Sequence, residues 1–294
     1  MDQASNLRNI IIKKNKYDVN NELQEGPRII CVTSGKGGVG KSNFTINLAI
    51  SLRKKNKKVV VIDADLGLAN IEILLGINPR YGLGDLVNEN LSIEDIMVDG
   101  PLGIKLISGG AGIQDMADLP IYKLNRILNG ISLLKNHCDF IIIDTGAGIS
   151  KTVTSFAMAS TEIVVITTPD PTSIADAYAI IKIIFRENIE KEISLLVNRA
   201  ENKPEADMTY KKINSVSQRF LTRDINYLGF IPYDKSVTKS VKLQTPFYLE
   251  YPNSSASLNI DNIANKILNE KSDNSTFNGF LKRFVSIFSN GGRA

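Results

Sequence analysis

Nine residues constrain this chain more than any others: Ser34-Gly35-Lys36-Gly37-Gly38-Val39-Gly40-Lys41-Ser42. An apolar run, Arg28 to Thr33, precedes them and reads as a buried strand. A helical pattern, Asn43 to Lys55, follows. A glycine-rich turn between a strand and a helix is a phosphate cradle. Its glycines let backbone N–H groups turn inward, and the helix N-terminus adds partial positive charge. Residues 35 to 42 fit G-x-x-x-x-G-K-[ST] completely, which places Lys41 on the β- and γ-phosphates and the Ser42 hydroxyl on Mg²⁺.

The rest of the chain fits an α/β fold around that turn. Apolar runs at 58–63, 139–144, 162–167, 193–198 and 227–232 alternate with helical stretches. That order predicts a mostly parallel central sheet with helices on both faces. The 294 residues, 43% of them hydrophobic, suffice for one large domain with tails. A net charge of +4 is too mild to call for nucleic acid. Two cysteines, Cys31 and Cys138, form no C-x-x-C pair, which argues against a disulfide framework, a zinc site or a bridging iron–sulfur cluster. His137 is the single histidine and reads as structural. The first 25 residues are polar and charged, unlike a secretory signal. No apolar run nears the roughly 18–20 residues that span a bilayer.

Three strands close on polar residues at the end where α/β proteins bind ligands. The first gives Asp63-Ala64-Asp65-Leu66-Gly67-Leu68-Ala69-Asn70, the second Asp144-Thr145-Gly146-Ala147-Gly148-Ile149-Ser150, the third Asn198-Arg199. Aspartates near a phosphate loop suit in-line hydrolysis, which needs a held water and a proton acceptor. Asp63 can equally cap the next helix, and Asn198 can be a turn residue. The Asn198 amide offers one donor and one acceptor, a match for the adenine edge.

The placement of Lys36, in K-G-G-x-G-K-S, resembles the deviant Walker A loop of the MinD/ParA (SIMIBI) ATPases. That resemblance implies ATP hydrolysis to ADP and phosphate with Mg²⁺, and an ATP-dependent homodimer in which Lys36 reaches the partner's nucleotide. It further implies that Asp65 orients the attacking water and that Asp63 and Asp144 support Mg²⁺ through its hydration shell. The Gly148 N–H senses the γ-phosphate, Asn198 and Arg199 recognise adenine, and the loop at Pro232 lies against the base.

Both ends extend the resemblance. Asp2-Gln3-Ala4-Ser5-Asn6-Leu7-Arg8 is similar to the D-Q-A-x-x-L-R motif that opens the flagellar FlhG (YlxH/FleN) branch, where it engages the FlhF GTPase. Ala4, Leu7 and Ile11 recur at helical spacing, as in a short docking helix. At the other end, Phe277, Phe280, Leu281, Phe284, Val285, Ile287 and Phe288 share one helical face, with Lys282 and Arg283 opposite. Such a helix is built to lie in an anionic membrane surface and resembles the targeting tail of MinD and FlhG. It can also pack on the core, or dock in the monomer and leave on ATP-driven dimerisation. The expected organisation is therefore a partner-binding segment 1–25, an ATPase domain 26–269, a linker 270–276 and a membrane helix 277–289. The resemblance implies a cytoplasmic protein reversibly peripheral on the cell membrane, with flagellar C-ring components as further partners. A DNA-partition ATPase and a nucleotide-sensing scaffold with negligible turnover are the alternatives. The phenylalanine-rich tail argues against DNA, because phosphates do not reward an apolar face.

Overall fold

The computed structural model describes residues 26–65, 70–88, 91–109, 119, 121–187, 192–270 and 277–290, without the side chains of 87, 88, 121, 124, 285 and 288–290. The expected partner-binding residues Asp2, Gln3, Ala4, Leu7 and Arg8 lie outside these ranges.

Strand β1 (Arg28–Ser34) runs through the middle of an eight-stranded sheet. The others are β2 (Val59–Ala64), β3 (Met97–Asp99), β4 (Lys105–Ile107), β5 (Phe140–Ala147), β6 (Glu162–Thr167), β7 (Ile193–Ala200) and β8 (Asn226–Pro232). Their order is β3-β4-β2-β5-β1-β6-β7-β8, and among the described residues only β3 runs antiparallel. Both faces of the sheet are covered, so its strands are apolar on both sides. Along β1, Ile29 and Cys31 enter one core cluster while Ile30 and Val32 enter the other, as alternation across a strand requires.

On one face lie α1 (Lys41–Lys54) and, later in the chain, α10 (Phe247–Glu250) and α11 (Ser255–Asn269). On the other lie α5 (Ile121–Leu133), α6 (Lys151–Ala159), α7 (Pro171–Arg186) and α8 (Lys203–Leu221). Short helices α2 (Asn70–Leu75), α3 (Asp85–Asn88), α4 (Ile93–Ile96) and α9 (Lys235–Lys242) lie in the connections. Helix α7 starts on Pro171, which needs no N–H partner at the first helical position.

The final helix, α12 (Phe277–Asn290), takes the docked arrangement, one of those its sequence left open. It is not a separate element held off the domain. Phe277, Phe280 and Phe284 are buried in the same core cluster as β1, α5 and α6. The Phe284 ring lies 5.0 Å from that of Phe156 on α6, and the Arg283 guanidinium donates to the Ala159 carbonyl at 3.1 and 3.2 Å. Leu281 is partly buried against the cluster and Ile287 half-buried; Val285 and Phe288 fall outside the described side chains. Each buried ring is worth roughly 2 kcal/mol, so an apolar stripe in water takes the nearest apolar surface within reach.

Candidate functional site

The carboxyl ends of β1, β2, β5 and β7 meet at a cavity of about 620 Å³. Gly37, Gly38, Gly40, Lys41, Ser42, Asp65, Asn70, Ala147 and Arg199 are among the residues lining it. Gly38 (φ 75°) and Gly40 (φ 97°) hold the left-handed backbone that the loop requires. No heavy atom of the described residues lies within 4 Å of where a Gly38 side chain would start, and Gly38 lines the cavity. Gly35 is the opposite case, because the Asp176 carbonyl of α7 occupies the space a side chain would need.

The two loop lysines part ways. Lys41 is buried, donates to Ser34 Oγ at 3.1 Å, and has its pKa lowered by desolvation against the pull of Asp144 and Asp65. Lys36 is exposed, is absent from the cavity lining, and donates to Thr172 Oγ1 of α7 at 2.8 Å. Thr172 carries no motif signal in the sequence; only the fold brings it to the loop.

Asp63 and Asp144 are direct neighbours in the β2–β5 register and both are buried. Burial, and then the charge of Asp144, pushes Asp63 up to about 8. Burial also raises Asp144, while Ser42, Lys41 and Thr45 offset part of that rise. Thr45 Oγ1 donates to Asp144 Oδ1 at 3.3 Å. Asp144 Oδ2 has no partner among the described residues. A buried carboxylate oxygen without a donor, beside Ser42 and a phosphate loop, fits a hydrated Mg²⁺, which supplies the positive charge that two adjacent carboxylates require. Asp63 does something the metal reading did not include. Its Oδ1 accepts from the Asp65 N–H at 3.0 Å and its Oδ2 from the Ile71 N–H at 3.3 Å. The bond from Ile71, in the first turn of α2, is the kind a helix cap makes.

Asp65 stands at the cavity wall. Asn70 Nδ2 donates to its Oδ2 at 3.1 Å, and a side chain on Gly146 would start 3.4 Å from its Oδ1. The carboxylate is therefore oriented by α2 and flanked by the loop after β5. Asn70 ends the D-A-D-L-G-L-A-N stretch, and its orienting role was readable only once α2 was in place. The Gly148 N–H donates to the Ser34 carbonyl at 2.9 Å in this conformation.

Asn198 makes contacts that its sequence position did not announce. Its Nδ2 donates to the Val39 carbonyl at 2.6 Å, and its Oδ1 accepts from the Arg199 N–H at 2.9 Å. In this conformation the amide braces the phosphate loop. It closes on Gly40 so tightly that no side chain fits there. Arg199, whose N–H donates to Asn198 Oδ1, has a left-handed conformation (φ 58°) rare for a non-glycine residue. It is among the residues lining the cavity. Pro232 pairs with Ala200 at the end of β8 and is not among the residues lining the cavity.

A match to the ParA family, described as NUBPL iron-transfer P-loop NTPase, spans residues 26–268. The antiactivator FleN of Pseudomonas aeruginosa is 37% identical over 240 residues, covering 82% of this chain and 86% of the relative. The flagellum site-determining protein YlxH of Helicobacter pylori is 34% identical over 271 residues, covering 91% and 90%. Among solved structures, the cell division ATPase MinD of Pyrococcus furiosus superposes with a TM-score of 0.68 at 24% identity, over 82% of this chain and 98% of that one.

Proposed function

The chain belongs to the ParA/MinD family of P-loop ATPases, which work with ATP, ADP and Mg²⁺, and from that premise we propose a nucleotide-gated membrane switch that sets flagellar placement or number. In this reading two ATP-bound chains dimerise face to face. The divergence of Lys36 from Lys41 carries the proposal. Lys41 serves its own site from within, whereas Lys36 stands exposed at the rim on a hydroxyl it can leave at little cost. A second chain facing the rim would receive it.

Within each site the chain's own groups divide the work. The loop N–H groups and Lys41 hold the phosphates, and Ser42 with Asp144 holds the metal. Asp65, oriented by Asn70, accepts from the attacking water. Bound Mg²⁺ neutralises phosphate charge. Dimerisation releases α12 to an anionic membrane, where two weak anchors act together through effective concentration. The FleN and YlxH relatives support the flagellar assignment. The D-Q-A-x-x-L-R segment supports an FlhF-type GTPase as partner. Flagellar C-ring components remain a further proposed partner.

The test is co-sedimentation of the full chain and Lys36→Ala with anionic vesicles, in ATP and in ADP. ATP-dependent sedimentation of the full chain, lost in Lys36→Ala, supports the reading. Salt-sensitive DNA binding by the ATP form, with no lipid binding, would replace it with the partition alternative. Lipid binding without phosphate release would favour a scaffold.

A further inference from the structure

The seat of α12 and the start of the N-terminal segment are one place. Gly26, the first described residue, lies so close to Phe277 that a side chain on it would begin 2.5 Å from the Phe277 Cβ. Two residues on, Arg28 donates to the Ile267 carbonyl at 2.6 Å and binds Glu162 through both carboxylate oxygens. The exit of residues 1–25 is therefore fixed beside the mouth of the groove that α12 fills.

If α12 leaves for a membrane, that groove becomes bare. Its floor includes Phe156, now against Phe284, and the surrounding cluster holds Ile127, Ile131 and Val153. A fully apolar trough on a released domain is costly in water and invites aggregation. The chain carries its own candidate filler. Leu7, Ile10, Ile11 and Ile12 give residues 1–25 an apolar cluster, with Ala4, Leu7 and Ile11 at helical spacing. A helix over 4–12 is about 13 Å long, and the 13 residues from 13 to 25 reach up to about 40 Å. The tether thus spans the groove from the Gly26 end with length to spare.

We propose that residues 1–25 and α12 are alternative occupants of this groove: when α12 moves to the membrane, the segment around Leu7 and Ile11 takes its seat. This rests on the membrane reading of α12 above. The exchange stabilises the released state without any contact to lipid, so the N-terminus sets how readily the C-terminus leaves. A partner that captures the N-terminal segment would return the groove to α12 and favour detachment.

Two full-chain measurements test it. The first is amide exchange of residues 4–12 in ATP with and without vesicles of one-third phosphatidylglycerol. Slowing by about tenfold on vesicle addition is expected, and loss of that slowing in Leu7→Asp/Ile11→Asp. That double variant should also sediment several-fold less than the parent. Unchanged exchange together with unchanged sedimentation would overturn the proposal. The second needs no membrane. Gly26→Val places a side chain against Phe277 and should unseat α12 in solution, slowing exchange at 4–12 there; a second variant, Phe280→Asp, should do the same. If the parent never sediments yet these variants show the slowing, the membrane reading fails and the exchange of occupants stands. If the parent sediments and the variants show none, the exchange fails alone.

Discussion

The phosphate site and the α12 groove are both buried, and they are buried for opposite reasons. The site buries Lys41, Asp63 and Asp144, groups that cost stability to desolvate and are kept for what they bind. The groove buries Phe277, Phe280 and Phe284, which gain stability and make no polar demand. Polar burial must be satisfied group by group, so the site has one geometry. Apolar burial is non-directional, so the same rings can be covered by a core, by lipid or by a partner. A switch needs the first kind of region to sense and the second to move.

Variants that invert this contrast break or sharpen it. Lys41→Ala should lower ATP turnover on the order of 10³-fold, about 4 kcal/mol, measured by phosphate release, while its melting temperature falls less than that of any groove variant. Phe284→Ala should do the reverse, costing about 3–5 kcal/mol in denaturant unfolding with basal turnover near the parent's. A loss well below that range would show α12 undocking ahead of global unfolding. Asp65→Ala should keep ATP binding and slow phosphate release by about 100-fold or more, prolonging the ATP dimer on lipid; rapid dissociation of this variant in ATP would remove the water-orienting role.

The buried carboxylates make a pH prediction. Asp63 is raised in the folded chain, so its contribution is fully present below about 4, the unfolded value, and is lost as pH rises toward about 8. Nucleotide-free protein should therefore lose about 2–3 kcal/mol between pH 5.5 and 8 relative to Asp63→Asn, read from denaturation midpoints. Mg²⁺·ATP should reverse the loss and release protons, seen as a buffer-dependent binding enthalpy. The smallest effect belongs to Asn198→Ala, which removes the brace on Val39 and should cost about 1–2 kcal/mol of stability with a modestly weaker nucleotide Kd. A large loss of adenine-over-guanine preference in this variant would assign Asn198 to base recognition as well.

The phosphate loop, the strand-end aspartates and the parallel sheet were all legible before any coordinates, because each rests on local rules. A glycine-rich turn has few backbone options, and strand and helix periods announce which faces are apolar. What could not be read were relations between distant segments. Nothing near Asn198 in the sequence says that it holds Val39, 159 positions away, or that Thr172 waits for Lys36. Asp63 had two readings, cap or metal support, and only the folded chain shows the two backbone N–H groups it accepts from.

The amphipathic tail marks the same division. Its sequence alone determined that residues 277–288 form a helix with one apolar face, since periodicity is a property of the segment. Where that face goes is a property of the whole molecule. Only the tertiary structure placed Phe284 on Phe156 and Phe277 against Gly26, because hydrophobic burial rewards any apolar surface and the fold alone supplies the nearest one.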